Sequence, residues 1–569
     1  MHHAAFRSGF HLAGGVLADA LVQHGPAAAR AAEGLWQRDP STWSSDAGVQ
    51  QKIANRLGWL TSPSLMSDSL ERICGFADGV RRDGFTDVVL LGMGGSSLAP
   101  EVLRAVLGAQ SGWPRLHMID STDPGAVRAV RTTPERTLYL LASKSGTTIE
   151  PNSLAAHFQR ALQQAGVAKW ADHFVAITDD GTALSERARA ERFRETFINP
   201  TDIGGRFSAL SFFGLVPAAL MGQDVEALVR WGLAMLDDGR VAPGDPVSNP
   251  SVGLGLLMGV GAKTGRDKLT LIVPPALEPF GLWVEQLVGE STGKNGVGVV
   301  PIAGESLGPA SVYGADRVFV RLRVAGDPDE EQRDSRVRQL VDQPVLTIDF
   351  PERAALGAEF VRWEVATAVA GVLLGVNPFD EPNVQQAKDA TRVLLDRHAA
   401  DGRLPMPQPD ATEGGVELTL TAAAREKTKE PASLLATVGA GDYVGVLAYL
   451  PIDPAFEQAV ARFRTEVRRL TTAATMFGFG PRYLHSTGQL HKGGANNGVF
   501  VLVTAAPVED LDIPGQPFTF GTLELAQALG DFASLEATGR RALHVHLPSP
   551  DPAPLASTLD RLLQHAGRS

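Results

Sequence analysis

The stretch TDVVLLGMGG, residues 86–95, decides the fold of this 569-residue chain. It is a short run of β-branched and other apolar residues that stops at glycines, and the helical pattern SLAPEVLRAVLG follows closely. RLHMID, TLYLLAS and HFVAITDD repeat this order, with helix-length segments between them. Because strands that alternate with helices form parallel sheets with crossover helices, the sequence predicts a doubly wound α/β fold.

The same alternation continues beyond this stretch and divides the chain into units. A second cycle of strands and helices begins near residue 236, and the segment DGRLPMPQPDATEGG, rich in Pro, Gly and acidic residues, separates it from a third. We therefore expect a helical N-terminal region (1–80), a first α/β domain (81–235), a second α/β domain (236–400), a linker (401–415) and a smaller C-terminal α/β lobe (416–569).

Composition and charge exclude several classes of function. The formal net charge is −12, which argues against duplex nucleic acid as a partner because phosphate backbones select basic surfaces. Cys74 is the single cysteine, so no internal disulfide can form, as is usual in a reducing compartment. No run approaches the roughly 18 apolar residues of a membrane span, and the N-terminus does not resemble a secretory signal. The sequence predicts a soluble cytoplasmic protein whose partner is neither nucleic acid nor membrane.

Two turns at the ends of predicted strands are suited to hold an anion. GMGGSS (92–97) allows close backbone approach, and SKSGTT (143–148) places hydroxyls where a helix begins. Free amides and the positive end of the helix dipole favour an anion there, and phosphate is the natural ligand. A dinucleotide fold with Asp120 as the ribose-binding acid is the alternative, but residue 97 is Ser, so the pattern G-x-G-x-x-G is incomplete. The predicted phosphate-binding residues are Gly95, Ser96, Ser143, Ser145, Thr147 and Thr148.

This cradle resembles that of the sugar isomerase family, whose members hold sugar phosphates in a Ser/Thr-rich loop. Three further segments are similar to motifs of the phosphoglucose isomerases and occur in that family's order: GGRFSALS (204–211), QLVGESTGKNG (286–296) and NPFDEPNVQQAK (377–388). The last is similar to the family's Phe-Asp-Gln-Pro-x-Val-Glu-x-x-Lys stretch. The texture of the chain also resembles the isomerase half of the fused transaldolase/phosphoglucose isomerases. The resemblance implies two sugar-isomerase-type domains with mainly parallel sheets, and a homodimer.

The resemblance also assigns roles in proton transfer. It implies Glu290 as the base that carries a proton between carbons 1 and 2 of a sugar phosphate. It implies Arg206 as the cation that stabilises the developing oxyanion. Lys388 resembles the family's lysine near the ring oxygen of the closed sugar.

The family's histidine is expected between the glutamate and lysine motifs, and this sequence has no histidine there. We expect His485 in YLHSTGQLHKGG (483–494) to take its place in ring opening, with His491 as the second candidate. These two histidines lack the i, i+4 helical spacing and a third convincing ligand, so we predict no metal site.

The function implied by the resemblance is reversible aldose–ketose isomerisation of glucose 6-phosphate and fructose 6-phosphate, with a phosphosugar as substrate and no cofactor. Three alternatives remain at this point. One is a broader phosphosugar isomerase that also accepts mannose 6-phosphate. Another is a sensor that binds sugar phosphates without catalysis, and the third is an NAD-dependent dehydrogenase, which the incomplete glycine pattern disfavours.

Overall fold

The computed structural model describes residues 6–240 and 245–566, apart from the side chains of residues 384, 385 and 387. The N-terminal region is mainly helical, as predicted, but it also contains a short strand, β1 (Phe10–Ala13), which the sequence analysis missed. β1 pairs antiparallel with a strand of the second domain, where Phe10 lies opposite Ile348. The helices of this region are Ala18–Trp36, Ala47–Ala54 and Ser62–Arg82.

The first α/β domain is built on a sheet of five parallel strands. The strands are β2 (Asp87–Gly92), β3 (Arg115–Ile119), β4 (Thr137–Ala142), β5 (Phe174–Asp179) and β6 (Glu195–Asn199). Their order is β3–β2–β4–β5–β6, so the winding reverses between β2 and β4. Ligands bind beyond the carboxyl ends of the strands at such a reversal, and this is where the turns 92–97 and 143–148 lie. The helices are Leu98–Leu107, Pro124–Ala129, Ile149–Gln164, Ala183–Glu191, Phe212–Leu220 and Val225–Arg240.

The second domain repeats this plan. Its strands are β7 (Lys268–Ile272), β8 (Val300–Ile302), β9 (Arg317–Val324) and β10 (Val345–Phe350). They are parallel to one another in the order β10–β9–β7–β8, and β1 is added at the β10 edge. Its helices are Pro250–Lys263, Glu278–Val284, Glu330–Val337 and Leu356–Leu374. A π-helical turn, Glu285–Glu290, continues the helix Glu278–Val284.

The C-terminal lobe contains a third sheet and follows the helix Val384–Asp401. Its strands are β11 (Ala411–Glu413), β12 (Val416–Leu420), β13 (Tyr443–Tyr449), β14 (Ala474–Phe479), β15 (Gly498–Ala505) and β16 (Arg541–Leu547). β13–β16 are parallel, in the order β16–β15–β13–β14, whereas β11 and β12 are antiparallel additions. The helices are Ala422–Lys427, Pro454–Thr471, Gly488–Gly493, Phe520–Ala537 and Pro552–Gln564.

The C-terminal lobe is docked on both domains through buried charges. Arg468 Nη1 lies 3.3 Å from Glu305 of the second domain, and both side chains are almost completely buried. Arg482, just after β14, donates two hydrogen bonds of 2.8 Å to Asp120 of the first domain. These contacts fix the end of β14 between the two domains, and the short helical turn Arg482–His485 begins at that point.

The three mostly parallel sheets confirm the α/β fold class predicted from the sequence. None of the helices within residues 6–240 and 245–566 combines the length and the apolar composition needed to cross a bilayer.

Candidate active site

The glycine-rich turn after β2 is a point where three parts of the chain approach closely. A β-carbon on Gly95 would fall well inside van der Waals contact with the carbonyl oxygen of Gly205. Gly94 has a φ of 55°, and an added β-carbon would lie 2.8 Å from the carbonyl oxygen of His485 and 2.9 Å from Nε2 of Gln286. Glycine is therefore required for this turn, the GGR segment and the histidine segment to meet.

The hydroxyls of SKSGTT form two pairs at the start of a helix. Ser143 Oγ lies 3.2 Å from Thr148 Oγ1, and Ser145 Oγ lies 3.0 Å from Thr147 Oγ1. Thr148 directly precedes the helix Ile149–Gln164, and its side chain bonds Ser143 instead of capping the helix. The first-turn amides and these hydroxyls together make a site suited to a phosphate group.

A cavity of about 450 Å³, which we call the central cavity, joins this cradle to the other predicted residues. Thr147 instead lines a neighbouring cavity of about 380 Å³, which shares Thr148, Lys388 and His485 with the central one. The predicted site residues that line the central cavity are Gly95, Ser96, Ser143, Ser145, Thr148, Arg206, Glu290, Lys388 and His485. Nine of the ten residues singled out in the sequence thus face one space, although they come from all three α/β units.

Glu290 is the last residue of the π-helical turn, and π-helical turns are frequent at functional sites. Its side chain is nearly buried, with 10% exposure, and burial raises its pKa to about 7. The charge of Arg206 opposes this rise, and the negative charge of Glu381 adds to it. A carboxyl group with a pKa near neutrality is well matched to taking up and returning a proton.

Arg206 is almost completely buried and uses all three nitrogens of its guanidinium group. Nε donates to Ser291 Oγ at 2.8 Å, and Nη2 donates to the carbonyl oxygens of Pro378 and Asp380 at 2.8 and 2.9 Å. Nη1 faces two carboxylates, Glu381 Oε2 at 2.9 Å and Glu290 Oε1 at 3.3 Å. A fixed cation therefore lies directly beside the candidate base.

Lys294 holds the first residues of the lysine motif beside Arg206. Its buried ammonium group donates to the carbonyl oxygens of Asn377 and Asp380 and lies 2.7 Å from Asp380 Oδ1. Burial lowers the pKa of Lys294 to about 8. These contacts make Lys294 an anchor for residues 377–380.

His485 reaches the central cavity from the C-terminal lobe of the same chain. Its Nε2 lies 2.9 Å from Oε1 of Glu150, at the start of the helix Ile149–Gln164. The same Glu150 oxygen accepts a hydrogen bond of 2.7 Å from Gln527 of the lobe. Burial alone would raise the pKa of Glu150, but the charge of His485 and the hydrogen bond from it hold that pKa below its ordinary value.

His491, the second candidate, lies elsewhere. It is buried in the core of the lobe, with ring centroids of Phe500, Tyr483 and Tyr443 at 4.9, 6.0 and 6.5 Å. Within the described part of the chain neither ring nitrogen has a hydrogen-bond partner, and burial holds the pKa of His491 well below its ordinary value. His491 packs as a neutral aromatic ring and is absent from the residues that line the central cavity.

Lys388 lies on the helix Val384–Asp401, its side chain is exposed, and it lines both cavities. Its positive charge lowers the pKa of Glu150, so it acts on the carboxylate that holds His485. The predicted ring-opening pair, Lys388 and His485, therefore borders the same end of the central cavity.

The polar residues of this site that sequence reasoning missed include Glu150, Gln286, Glu381 and Gln527. Two of them carried a usable signal, because Gln286 precedes Glu290 by four residues and Glu150 follows the hydroxyl-rich turn by two. Gln527 had none, since it lies in an ordinary helical pattern 377 residues after its partner.

The comparisons with known proteins point to the same family as the site. The family model for phosphoglucose isomerase matches residues 65–300. A glucose-6-phosphate isomerase of Rubrobacter xylanophilus is 30% identical over 381 residues, which cover 58% of this chain and 87% of that protein. The chain belongs to the phosphoglucose isomerase family. A glucose-6-phosphate isomerase of Trichormus variabilis is 28% identical, over 59% of this chain and 74% of that protein.

Two solved structures share the fold of this chain. A hypothetical protein from Thermus thermophilus matches with a TM-score of 0.56 and 26% identity, over 68% of this chain and 99% of that one. A glucose-6-phosphate isomerase from Chlamydia trachomatis shares the fold with a TM-score of 0.54 and 20% identity, over 67% of this chain and 85% of that one. About a third of this chain lies outside the match to each of these structures.

Proposed function

We propose that this chain is a glucose-6-phosphate isomerase, which interconverts glucose 6-phosphate and fructose 6-phosphate. One observation carries the proposal: a phosphate cradle and a nearly buried carboxylate beside a fixed cation line one cavity of about 450 Å³. Family membership supports the same reaction, since the relatives named above are glucose-6-phosphate isomerases.

The cradle at residues 143–148 is proposed to hold the phosphate group, with Gly95 and Ser96 from the facing turn. Anchoring one end of the sugar fixes the position of the reacting carbons at the other end, which converts a random encounter into an oriented reaction. Glu290 lines the same cavity as the cradle, and we propose that it acts on the reacting carbons at the end of the sugar away from the phosphate.

Ring opening is proposed to use His485 and Lys388. One of them transfers a proton to the ring oxygen while the other accepts the proton of the hydroxyl on carbon 1, which gives the open-chain aldehyde. The carboxylate of Glu150 orients the His485 ring through the 2.9 Å contact. Both groups line the cavity that Glu290 lines in the same chain.

Isomerisation itself is proposed to use Glu290 and Arg206. Glu290 removes the proton from carbon 2, which leaves an enediol(ate), and returns it to carbon 1. Negative charge develops on the oxygen at carbon 1, and the Arg206 guanidinium stabilises it. The proton on oxygen moves from one hydroxyl to the neighbouring carbonyl oxygen, so the product is the ketose.

The family resemblance also supports a homodimer that works in the cytoplasm.

A coupled assay tests the proposal. Purified protein is given fructose 6-phosphate, and the glucose 6-phosphate formed is measured by its oxidation in a second enzyme reaction. We expect continuous turnover that disappears in Glu290→Gln. Binding of the sugar phosphate without turnover would instead establish a sensor, and equal turnover of mannose 6-phosphate would establish a broader isomerase.

A further inference from the structure

The central cavity holds a second carboxylate that the proposed reaction does not use. Glu381 lies two residues after Phe379 in the lysine motif, and its side chain is 44% exposed toward the cavity. In the family pattern quoted above this position is Gln, whereas this chain has Glu. An amide can accept a hydrogen bond from arginine as a carboxylate does, but it brings no charge.

Glu381 and Glu290 compete for one nitrogen atom. Arg206 Nη1 donates to Glu381 Oε2 at 2.9 Å and lies 3.3 Å from Glu290 Oε1. The shorter, hydrogen-bonded contact is the one to Glu381. Two carboxylates that share one guanidinium nitrogen lie close enough to repel each other, although the 44% exposure of Glu381 lets solvent screen part of this repulsion.

Glu381 is not needed to hold its own segment in place. Arg206 already binds this segment through the carbonyl oxygens of Pro378 and Asp380. Lys294 binds it through Asn377 and Asp380. The carboxylate of Glu381 therefore adds charge to a segment whose position other bonds determine.

We propose that Glu381 is a positioning residue: it shares the Arg206 guanidinium group with Glu290 and thereby sets the pH range in which Glu290 works as the base. The proposal rests on the proposed isomerase function. The negative charge of Glu381 makes ionisation of Glu290 harder, both directly and because Glu381 partly neutralises the Arg206 charge that Glu290 faces. The base is then ionised only when the solution approaches neutrality.

Other charges act on Glu290 as well, and the test must keep them unchanged. Burial is the largest influence on its pKa and raises it, Arg206, Lys294 and His485 lower it, and Glu381 raises it. The charged residues that line the cavity elsewhere are Arg56, Lys144, Asp179, Asp180 and Lys388. Glu381→Gln removes one charge and leaves all of these in place.

The test is the pH profile of kcat/KM for wild type, Glu381→Gln and Glu381→Asp. We expect the acidic limb of Glu381→Gln to move to lower pH by about one unit, because the pKa of Glu290 falls when the neighbouring charge is removed. Glu381→Asp keeps the charge and should keep the limb near that of wild type. Glu226→Gln serves as the matched control, because it removes an exposed carboxylate that does not line the central cavity.

A readout that does not need turnover separates the two proposals. In protein labelled with ¹³C at the glutamate carboxyl groups, Glu290→Gln identifies the Glu290 resonance, and its titration is followed in wild type and in Glu381→Gln. An inactive wild type would refute the isomerase function even if this resonance moves. An active wild type whose acidic limb and Glu290 resonance stay unchanged in Glu381→Gln would overturn the role of Glu381.

Discussion

His485 Nε2 lies 2.9 Å from Oε1 of Glu150, and 335 residues of chain separate the two. Glu150 begins a helix of the first domain, whereas His485 follows a strand of the C-terminal lobe. The lobe thus delivers the proposed ring-opening group to a cavity whose phosphate cradle belongs to the first domain. Gln527 of the same lobe binds Glu150 from a second direction, at 2.7 Å.

Replacing Glu150 by Gln should impair ring opening more than isomerisation. The amide cannot stabilise a positively charged imidazole, so we expect kcat/KM on the closed sugar to fall by at least about tenfold. An open-chain analogue bypasses this step and should lose much less. Steady-state kinetics on both substrates measure the ratio, with His485→Ala as the parallel variant and Glu135→Gln on the surface as the control. Equal losses on both substrates would contradict the assignment.

Glu290→Gln should abolish most of the turnover while the phosphosugar still binds. The carboxamide cannot accept the proton from carbon 2, and we expect kcat to fall about 10²- to 10⁴-fold. Isothermal titration of fructose 6-phosphate measures binding, and the coupled assay measures kcat.

Glu285→Gln is a matched control for this variant, because Glu285 belongs to the same π-helical turn but lines another cavity. Burial raises the pKa of Glu285 to about 8, so a neutral amide closely replaces the group present at neutral pH. Activity should therefore survive in Glu285→Gln. Loss of activity in both variants would mean that the turn, and not the base, is what Glu290→Gln disturbs.

The activity of wild type should fall on the acidic side of neutrality. Burial raises the pKa of Glu290 to about 7, so the carboxylate form that accepts a proton is lost as the pH decreases through this value. We expect kcat/KM to decrease by about tenfold per pH unit below the limb. A profile that stays flat down to pH 5 would show that Glu290 is ionised throughout and that its burial is overcome by Arg206.

Gly95→Ala should destabilise the protein by about 1–3 kcal/mol, because the added methyl group overlaps the carbonyl oxygen of Gly205 and forces the two turns apart. Denaturant unfolding measures this cost. Gly205→Ala is the comparison, since a β-carbon there meets no atom within 4 Å among the described residues. Its free energy of unfolding should stay near that of wild type, and an equal loss in both would disprove the steric explanation.

Asp531 binds two residues of the histidine segment 483–494. It accepts hydrogen bonds from Lys492 and, at 2.7 Å, from Tyr483, and both side chains of the Lys492–Asp531 pair are 1% exposed. Asp531→Asn leaves a buried ammonium group without a counter-charge, which should lower the free energy of unfolding by about 3–5 kcal/mol.

Asp560→Asn in the exposed Arg462–Asp560 pair of the same lobe should change the free energy of unfolding by less than about 1 kcal/mol. Denaturant titration of the two variants gives the comparison. Similar values for both would show that the Lys492–Asp531 pair adds no more than a surface pair.

The sequence predicted those elements whose pattern is contained within a short segment of the chain. Alternating apolar runs and helical segments predicted the first sheet, and the hydroxyl-rich turn predicted the cradle. β1 was missed because four residues give almost no periodicity, and its pairing partner lies more than 300 residues downstream. β6 (ETFIN) and β12 (VELTL) were missed for a similar reason, since charged and polar residues interrupt their short apolar patterns.

The residues of the candidate site also fall into those that a short motif predicted and those that only tertiary contacts reveal. Arg206, Glu290 and Lys388 came from motifs that stand within short segments, and the structure places all three on one cavity. Gln527 acts through a tertiary contact to Glu150, which no local pattern encodes, whereas Glu150 had a local signal in its place two residues after the hydroxyl-rich turn. Glu381 was within a quoted motif, but only the geometry around Arg206 Nη1 reveals that its charge matters.

The pairing of β1 with β10 has a consequence for synthesis. During synthesis Phe10–Ala13 leaves the ribosome well before Val345–Phe350, the strand with which it pairs, because more than 300 residues separate the two. At about 5–20 residues per second, the early strand waits on the order of tens of seconds, while the first sheet can already assemble. A nascent chain stalled before residue 345 should therefore protect residues 87–199 from protease and leave the amino-terminal strand open to cleavage.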